Sequence, residues 1–317
     1  MSEKVVRQRK SDKHDTAGKT KSNGKKKSVK IKENAEEDSS SVLPLYLSSA
    51  AVALFSILYY VFVYQEDAGY TVFVSAKDKV DKVVYTVKCS SDYDTEKFEG
   101  CKPKKCGRTV MDNLITESDA RHLKELAEKG MSYGGSSGGA SILDLHSGAL
   151  SSGTQFINIY KFLQSQNEAL LTEEDLRIYS KVKDKIHAAI ASEFGVKQNQ
   201  LYLTSPTFFS RMNTTPPTTK HDEYWHPHID KITYESFHYT SLLYLSTYGS
   251  DFTGGRFVFV DKDTNRTVEP RLGRISFFTS GSENLHFVER LVDGVRYAIT
   301  ISFTCDPSKA IQNPAIR

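Results

Sequence analysis

Cysteine is scarce in this 317-residue chain, and charge of neither sign predominates. Lys and Arg number 42 against 39 Asp and Glu, a net of +3. Residues 1–40 hold 12 Lys/Arg against 7 Asp/Glu, so the remainder nets −2. No nucleic-acid partner is expected from such a balance, and Lys25-Lys-Lys27 reads as part of a basic tail beside a membrane. The Gly- and Ser-dense stretch Gly130–Gly153 has no Gly-Lys-Ser/Thr after it, which argues against a phosphate-cradling loop. It reads as a mobile loop near a substrate cleft. The four cysteines are Cys89, Cys101, Cys106 and Cys305. They allow two disulfides in three connectivities, among which sequence does not choose. Cys101-x4-Cys106 lacks a His at local zinc-ligand spacing, which argues against half a zinc site.

Charge is wholly absent from Val42–Tyr64, 23 residues long enough to span a bilayer with some tilt. A cleaved signal peptide would lie nearer the N-terminus and end on small residues, whereas this run ends Phe62-Val-Tyr-Gln-Glu66. The basic residues precede the span, so the N-terminus is expected in the cytoplasm and the C-terminal part in the lumen of the endoplasmic reticulum or secretory pathway. That describes a type II membrane protein with an uncleaved signal anchor. All four cysteines follow the span, which suits an oxidising lumen. So do two glycosylation sequons, Asn213-Thr-Thr and Asn265-Arg-Thr. The expected organisation is a disordered basic tail (1–41), a transmembrane helix (42–64), a lumenal stalk or N-terminal extension (65–115) and one large domain (116–317).

Within the lumenal part, Tyr70–Ser75 and Val83–Lys88 read as strands, and Cys89–Gly107 as irregular with no assigned role. Glu117–Lys129 reads as a helix capped by Thr116 and stopped by Gly130. The longest helix, Thr172–Phe194, opens on Glu173-Glu-Asp175 and repeats Leu176, Tyr179, Val182, Ile186, Ala189 and Ile190 at helical spacing. Such a helix is expected to brace the back of a sheet. From Leu201 the period changes to that of strands: Leu201–Met212, His238–Ser246, Arg256–Val260, Thr267–Glu269, Arg274–Phe278, Asn284–Val288 and Arg296–Thr304. With a strand at His228, the expected fold is mostly β with flanking helices, a double-stranded β-helix or jelly-roll barrel after one transmembrane helix.

The chemistry gathers at Tyr224-Trp-His-Pro-His-Ile-Asp230. On a strand, His228 and Asp230 would face one side. His286 follows 58 residues later, and Arg296 ten after that. Two His and one carboxylate on one face of an octahedral ion are the facial triad of non-haem Fe(II) oxygenases. His221-Asp-Glu223 and His226 offer competing ligands and read instead as loop residues near the mouth. Trp225, the sole Trp, suits either a cleft wall or the core.

Around these residues the chain resembles the prolyl 4-hydroxylase class of 2-oxoglutarate/Fe(II)-dependent dioxygenases. The landmarks are His228-Ile-Asp230, Thr240-Ser-Leu-Leu-Tyr244-Leu, Thr253-Gly-Gly-Arg-Phe-Val-Phe259, Pro270-Arg-Leu-Gly273-Arg-Ile-Ser-Phe-Phe278, His286-Phe-Val and Gly294-Val-Arg296-Tyr-Ala-Ile-Thr300. The resemblance implies a fold, cofactors and roles. His228, Asp230 and His286 would be catalytic iron ligands. Arg296 would pair with the distal carboxylate of 2-oxoglutarate, with Tyr244 donating a hydroxyl to it and Thr300 close by. The cofactors implied are Fe(2+) and 2-oxoglutarate, with L-ascorbate to recover oxidised iron. The reaction implied is hydroxylation of a polypeptide side chain with release of succinate and CO2. The substrate, the hydroxylated residue and the oligomeric state do not follow from sequence. The competing class is a non-catalytic lumenal jelly-roll that binds peptide or glycan, for which a 2-oxoglutarate clamp would have no use.

Overall fold

A computed structural model describes residues 51–59, 69–217 and 225–316. The chain divides into two compact units, Met1–Val61 and Phe62–Arg317. In the first, residues 51–59 are helical with Leu54, Phe55 and Tyr59 exposed. The rest of the expected span 42–64 lies outside the described residues, as does His221–Tyr224. Among the described residues no helix is long and apolar enough to cross a membrane.

The second unit is built on sixteen strands among the described residues. The first seven are β1 (Tyr70–Val74), β2 (Val83–Val87), β3 (Cys106–Met111), β4 (Gly135–Ser136), β5 (Ala140–Leu143), β6 (Ala149–Gly153) and β7 (Gln155–Asn158). The eleven-residue β8 (Tyr202–Met212) and β9 (Tyr239–Tyr244) come next. They are followed by β10 (Phe252–Gly254), β11 (Phe257–Val260), β12 (Asn265–Val268) and β13 (Ile275–Thr279). The last three are β14 (His286–Val288), β15 (Leu291–Gly294) and β16 (Arg296–Thr304). A ten-stranded sheet runs β2-β3-β13-β9-β16-β8-β5-β6-β4, with β7 on β6. A four-stranded sheet runs β1-β12-β11-β14, and β10 pairs with β15. Non-consecutive strands lie side by side in both larger sheets, as a jelly roll requires.

The central strands of the large sheet are buried on both faces, and alternation sorts their side chains. On β9 and β16, Tyr239, Leu243, Ile299, Ile301 and Phe303 join the core shared with the helices. Leu242, Tyr244 and Ala298 join the second core, with Phe257, Phe259 and Val288 of the small sheet. Register sets the rungs between: Ser302 pairs with Thr240, Thr300 with Leu242 and Ala298 with Tyr244.

The long helix Glu173–Phe194 starts in a capping box, with Thr172 Oγ1 accepting from the Asp175 amide (3.2 Å) and Asp175 Oδ2 from the Thr172 amide (2.8 Å). It ends at Gly195 with φ 68°, a left-handed turn that glycine adopts without steric cost. Its buried stripe, Ile178, Tyr179, Val182, Ile186 and Ile190, lies in the helix-side core. Helix Glu117–Met131 is capped by Thr116 as expected, and runs two residues past Lys129.

One stretch differs from expectation. Gly130–Gly153 is no loop: it contributes β4, β5 and β6, with Leu143 and Leu150 fully buried. Gly and Ser carry little strand propensity, but β5 gains its ladder from β8, Ala140 against Met212 through Leu143 against Phe209. The strands expected at Tyr70–Ser75 and Val83–Lys88 are present as β1, which joins the small sheet, and β2, which joins the large one together with β3. The cysteines pair as Cys89–Cys106 and Cys101–Cys305, which removes Cys101 and Cys106 from any zinc site.

Candidate metal centre and its anion pocket

His228 lies not in a strand but in an isolated antiparallel bridge with His286. Each residue's amide donates to the other's carbonyl, at 2.9 and 3.1 Å. This single rung brings the two imidazoles to 4.4 Å between ring centroids. Asp230 then opens a four-residue helical turn, Asp230–Thr233, instead of continuing an extended chain. The turn still delivers its carboxylate: Asp230 Oδ1 is 3.6 Å from Nε2 of both His228 and His286. One ligand atom from each of the three lies within 4.8 Å of the others.

Neighbouring groups orient each member of this cluster. His228 Nδ1 donates to the His226 carbonyl and His286 Nδ1 to the Asn284 carbonyl, both at 2.8 Å. A proton held on Nδ1 leaves Nε2 as the lone-pair nitrogen facing the cluster. Thr240 Oγ1 donates to Asp230 Oδ2 (2.6 Å) and lies 2.9 Å from Ser280 Oγ. That hydroxyl occupies one carboxylate oxygen and leaves Oδ1 turned to the imidazoles. His286 stacks on Phe257 (5.0 Å, 26°) and meets the edge of Phe278 at 5.0 Å.

Burial pushes the His286 imidazole down to about 4, and the charge of Asp230 opposes that drop without reversing it. His286 is therefore neutral at physiological pH, as metal ligation requires. The unfolded chain binds this proton near 6.5 and the folded one near 4. The stabilising contribution is full above pH 6.5 and declines as pH falls to about 4, by about 3 kcal/mol. Urea unfolding of the metal-free protein across that window should show the loss, and His286→Phe should flatten it.

The pocket containing the three residues narrows between apolar walls from Phe208, Met212, Leu242, Phe257 and Val288, with Thr300 also lining it. Arg296 lines it too and is 1% exposed. Its Nη1 reaches only Met212 Sδ, at 3.7 Å. Its Nε and Nη2 have no hydrogen-bond partner among the described residues, nor has Tyr244 Oη. The guanidinium carbon lies 5.5 Å from the Tyr244 ring centroid. Burial lowers Arg296 to about 10, partly offset by Tyr244, so it keeps its charge at neutral pH. A buried guanidinium without a counter-charge costs several kcal/mol. Its open fork matches a planar carboxylate, whereas Tyr244 packs in the inter-sheet core and is not among the residues lining the pocket. The donor set thus fits a divalent ion beside a carboxylate-bearing ligand.

Sequence reasoning missed the supporting residues Ser280 and Asn284, and quoted Thr240 without a role. Strand alternation alone signals Thr240, two residues from inward-facing Leu242. His226 is exposed and Trp225 is 8% exposed within the inter-sheet core. The sequon residues Asn213, just after β8, and Asn265, at the start of β12, are both half-buried.

Residues 210–304 match the 2OG-Fe(II) oxygenase superfamily. The chain is 56% identical over 250 residues to the 2-oxoglutarate and iron-dependent oxygenase domain-containing protein 3 of Xenopus tropicalis, covering 78% of this chain and 79% of that one. Identity to the Homo sapiens protein of the same name is 57% over 230 residues, 72% of each chain. Homo sapiens prolyl 3-hydroxylase 2 is 25% identical over 238 residues, 68% of this chain and 31% of that one. Among solved structures, a prolyl hydroxylase from Trichoplax adhaerens in complex with a hypoxia inducible factor oxygen degradation domain peptide fragment aligns at 15% identity. Its TM-score is 0.44, with 62% of this chain and 83% of that chain covered.

Proposed function

The chain belongs to the 2-oxoglutarate- and Fe(II)-dependent oxygenases, and from that premise we propose that it is a membrane-anchored dioxygenase hydroxylating a polypeptide side chain in the secretory lumen. The observation that carries this reading is the buried Arg296 guanidinium, with no carboxylate partner among the described residues, in the same pocket as His228, Asp230 and His286. When bound, Fe(II) with 2-oxoglutarate supplies oxygen activation coupled to decarboxylation, releasing succinate and CO2 with the hydroxylated product.

The protein's part is binding, orientation and exclusion of water. His228 Nε2, His286 Nε2 and Asp230 Oδ1 would hold the ion. Thr240 keeps the second Asp230 oxygen engaged. Arg296 would hold the distal carboxylate, with Thr300 on the pocket wall and the Tyr244 ring 5.5 Å from the guanidinium carbon. The apolar walls strengthen that charge pairing by keeping solvent away. L-ascorbate is the expected reductant for oxidised iron. The charge-free run 42–64, the two disulfides and the sequons at Asn213 and Asn265 support a glycosylated, lumenal, type II topology. A polypeptide substrate is supported by prolyl hydroxylases standing among the relatives.

The test is succinate release by Ala68–Arg317 made in an oxidising host, with Fe(II), ascorbate and 2-oxoglutarate. Slow turnover without added substrate, abolished by a chelator and by His228→Ala, is expected. Failure of the metal-loaded protein to bind 2-oxoglutarate would overturn the proposal.

A further inference from the structure

The segment between Cys89 and Cys106, which sequence left without a role, touches both pieces of chain that present the metal cluster. Apart from two short 3-10 turns it has no regular structure, yet both disulfides pin it: Cys89 to Cys106, and Cys101 to Cys305. Its first half grips residues 279–284, which lead into His286. Tyr93 Oη donates to Glu283 Oε1 (3.1 Å) and accepts from the Gly281 amide (3.0 Å). Asp92 Oδ2 accepts from both the amide and the hydroxyl of Ser282, at 2.6 Å each. That loop ends at Asn284, whose carbonyl orients His286 and whose Nδ2 donates to the Thr279 carbonyl (2.8 Å).

The second half grips the other piece. Glu96 Oε2 lies 3.2 Å from Lys231 Nζ, the residue after Asp230. It also lies 2.8 Å from His238 Nε2, two residues before Thr240. Lys231 closes the circuit, its ammonium 5.8 Å from the Tyr93 ring centroid and its amide donating to the Ser280 carbonyl (2.9 Å). Tyr93 is 6% exposed, and the Glu96 side chain 7%. The Tyr93 and Glu96 contacts are buried or part-buried, so breaking them strands a partner away from water, whereas the Asp92–Ser282 pair is solvent-exposed and the weaker element.

We infer that the disulfide-pinned segment Cys89–Cys106 is a positioning brace for the metal centre, with Tyr93 and Asp92 setting His286 through residues 279–284, and Glu96 setting Asp230 and Thr240 through Lys231 and His238. The inference rests on His228, Asp230 and His286 being metal ligands. It makes Tyr93, Asp92 and Glu96 positioning residues that touch neither metal nor substrate.

The test is calorimetric Mn(II) binding to the full chain and to Tyr93→Phe, Glu96→Gln and Asp92→Asn, at a temperature where circular dichroism shows each variant folded. Losing an outer partner of a metal ligand typically weakens metal binding 10–100-fold, and about 10-fold is expected for Tyr93→Phe and for Glu96→Gln. A merely structural role would lower the melting temperature and leave the Mn(II) affinity of the folded protein unchanged; that result overturns the brace. If Tyr93→Phe does not fold, Glu96→Gln and Asp92→Asn decide alone. Absence of Mn(II) binding by the unaltered chain would instead overturn the ligand assignment.

Discussion

Arg296→Leu should leave the metal-free protein as stable as the parent or more so, while all but abolishing its response to 2-oxoglutarate. The two halves share one cause. Arg296 is 1% exposed, and two of its three nitrogens lack hydrogen-bond partners among the described residues. Replacing buried charge by an apolar side chain of similar volume is often neutral or stabilising by about 1–4 kcal/mol. Leucine would pack against Met212, which Arg296 already touches. With ligand present the sign reverses. A carboxylate seated on the guanidinium would lose two charge-assisted hydrogen bonds, each about 1.5–3 kcal/mol, and would itself be buried unpaired. The 2-oxoglutarate affinity should fall about two to four orders of magnitude. Mn(II) affinity should change little. Urea unfolding and 2-oxoglutarate titration of the same preparations check both halves. Parental 2-oxoglutarate affinity in the variant would remove Arg296 from the cofactor site.

Asp230→Asn should separate metal binding from folding in the opposite way. The substitution preserves shape, and an amide can still meet the Thr240 hydroxyl, 2.6 Å from Asp230 Oδ2 in the parent. What it removes is the negative charge between two imidazoles, each 3.6 Å from Oδ1. Four-ligand structural zinc sites gain about 10–16 kcal/mol, or roughly 2.5–4 kcal/mol per ligand. A loss of about two to three orders of magnitude in Mn(II) affinity is therefore expected, with succinate release below detection. The metal-free melting temperature should stay close to the parent's. Mn(II) calorimetry and thermal unfolding decide it: unchanged metal affinity would place the ion elsewhere.

The strands that carry this chemistry were legible because their side chains alternate in character. Ala298, Thr300 and Ser302 are small or polar and face between the sheets, while Ile299, Ile301 and Phe303 face the helices. The helix at Glu173–Phe194 was legible from local signals, its capping box and terminal glycine. Residues 130–153 were not, because Gly and Ser say turn while the strand there is made by its partner β8. The H-x-D triplet was found for a partly mistaken reason. Its convergence on His286 comes from one bridge and a helical turn, not from strand alternation.

Sequence by itself determined which residue types stand at which spacing: His228, Asp230, His286 and Arg296, the charge-free run 42–64, and the period of the strands after Leu201. Those are properties of a few consecutive side chains and need no partner to be read. Tertiary structure alone decided the disulfide pairing, the enlistment of residues 70–111 and 135–158 into the sheets, and the grip of Tyr93 and Glu96 on the metal centre. Each depends on groups tens to hundreds of residues apart meeting in a buried place. There an unmade hydrogen bond or an unpaired charge costs more than local propensity supplies.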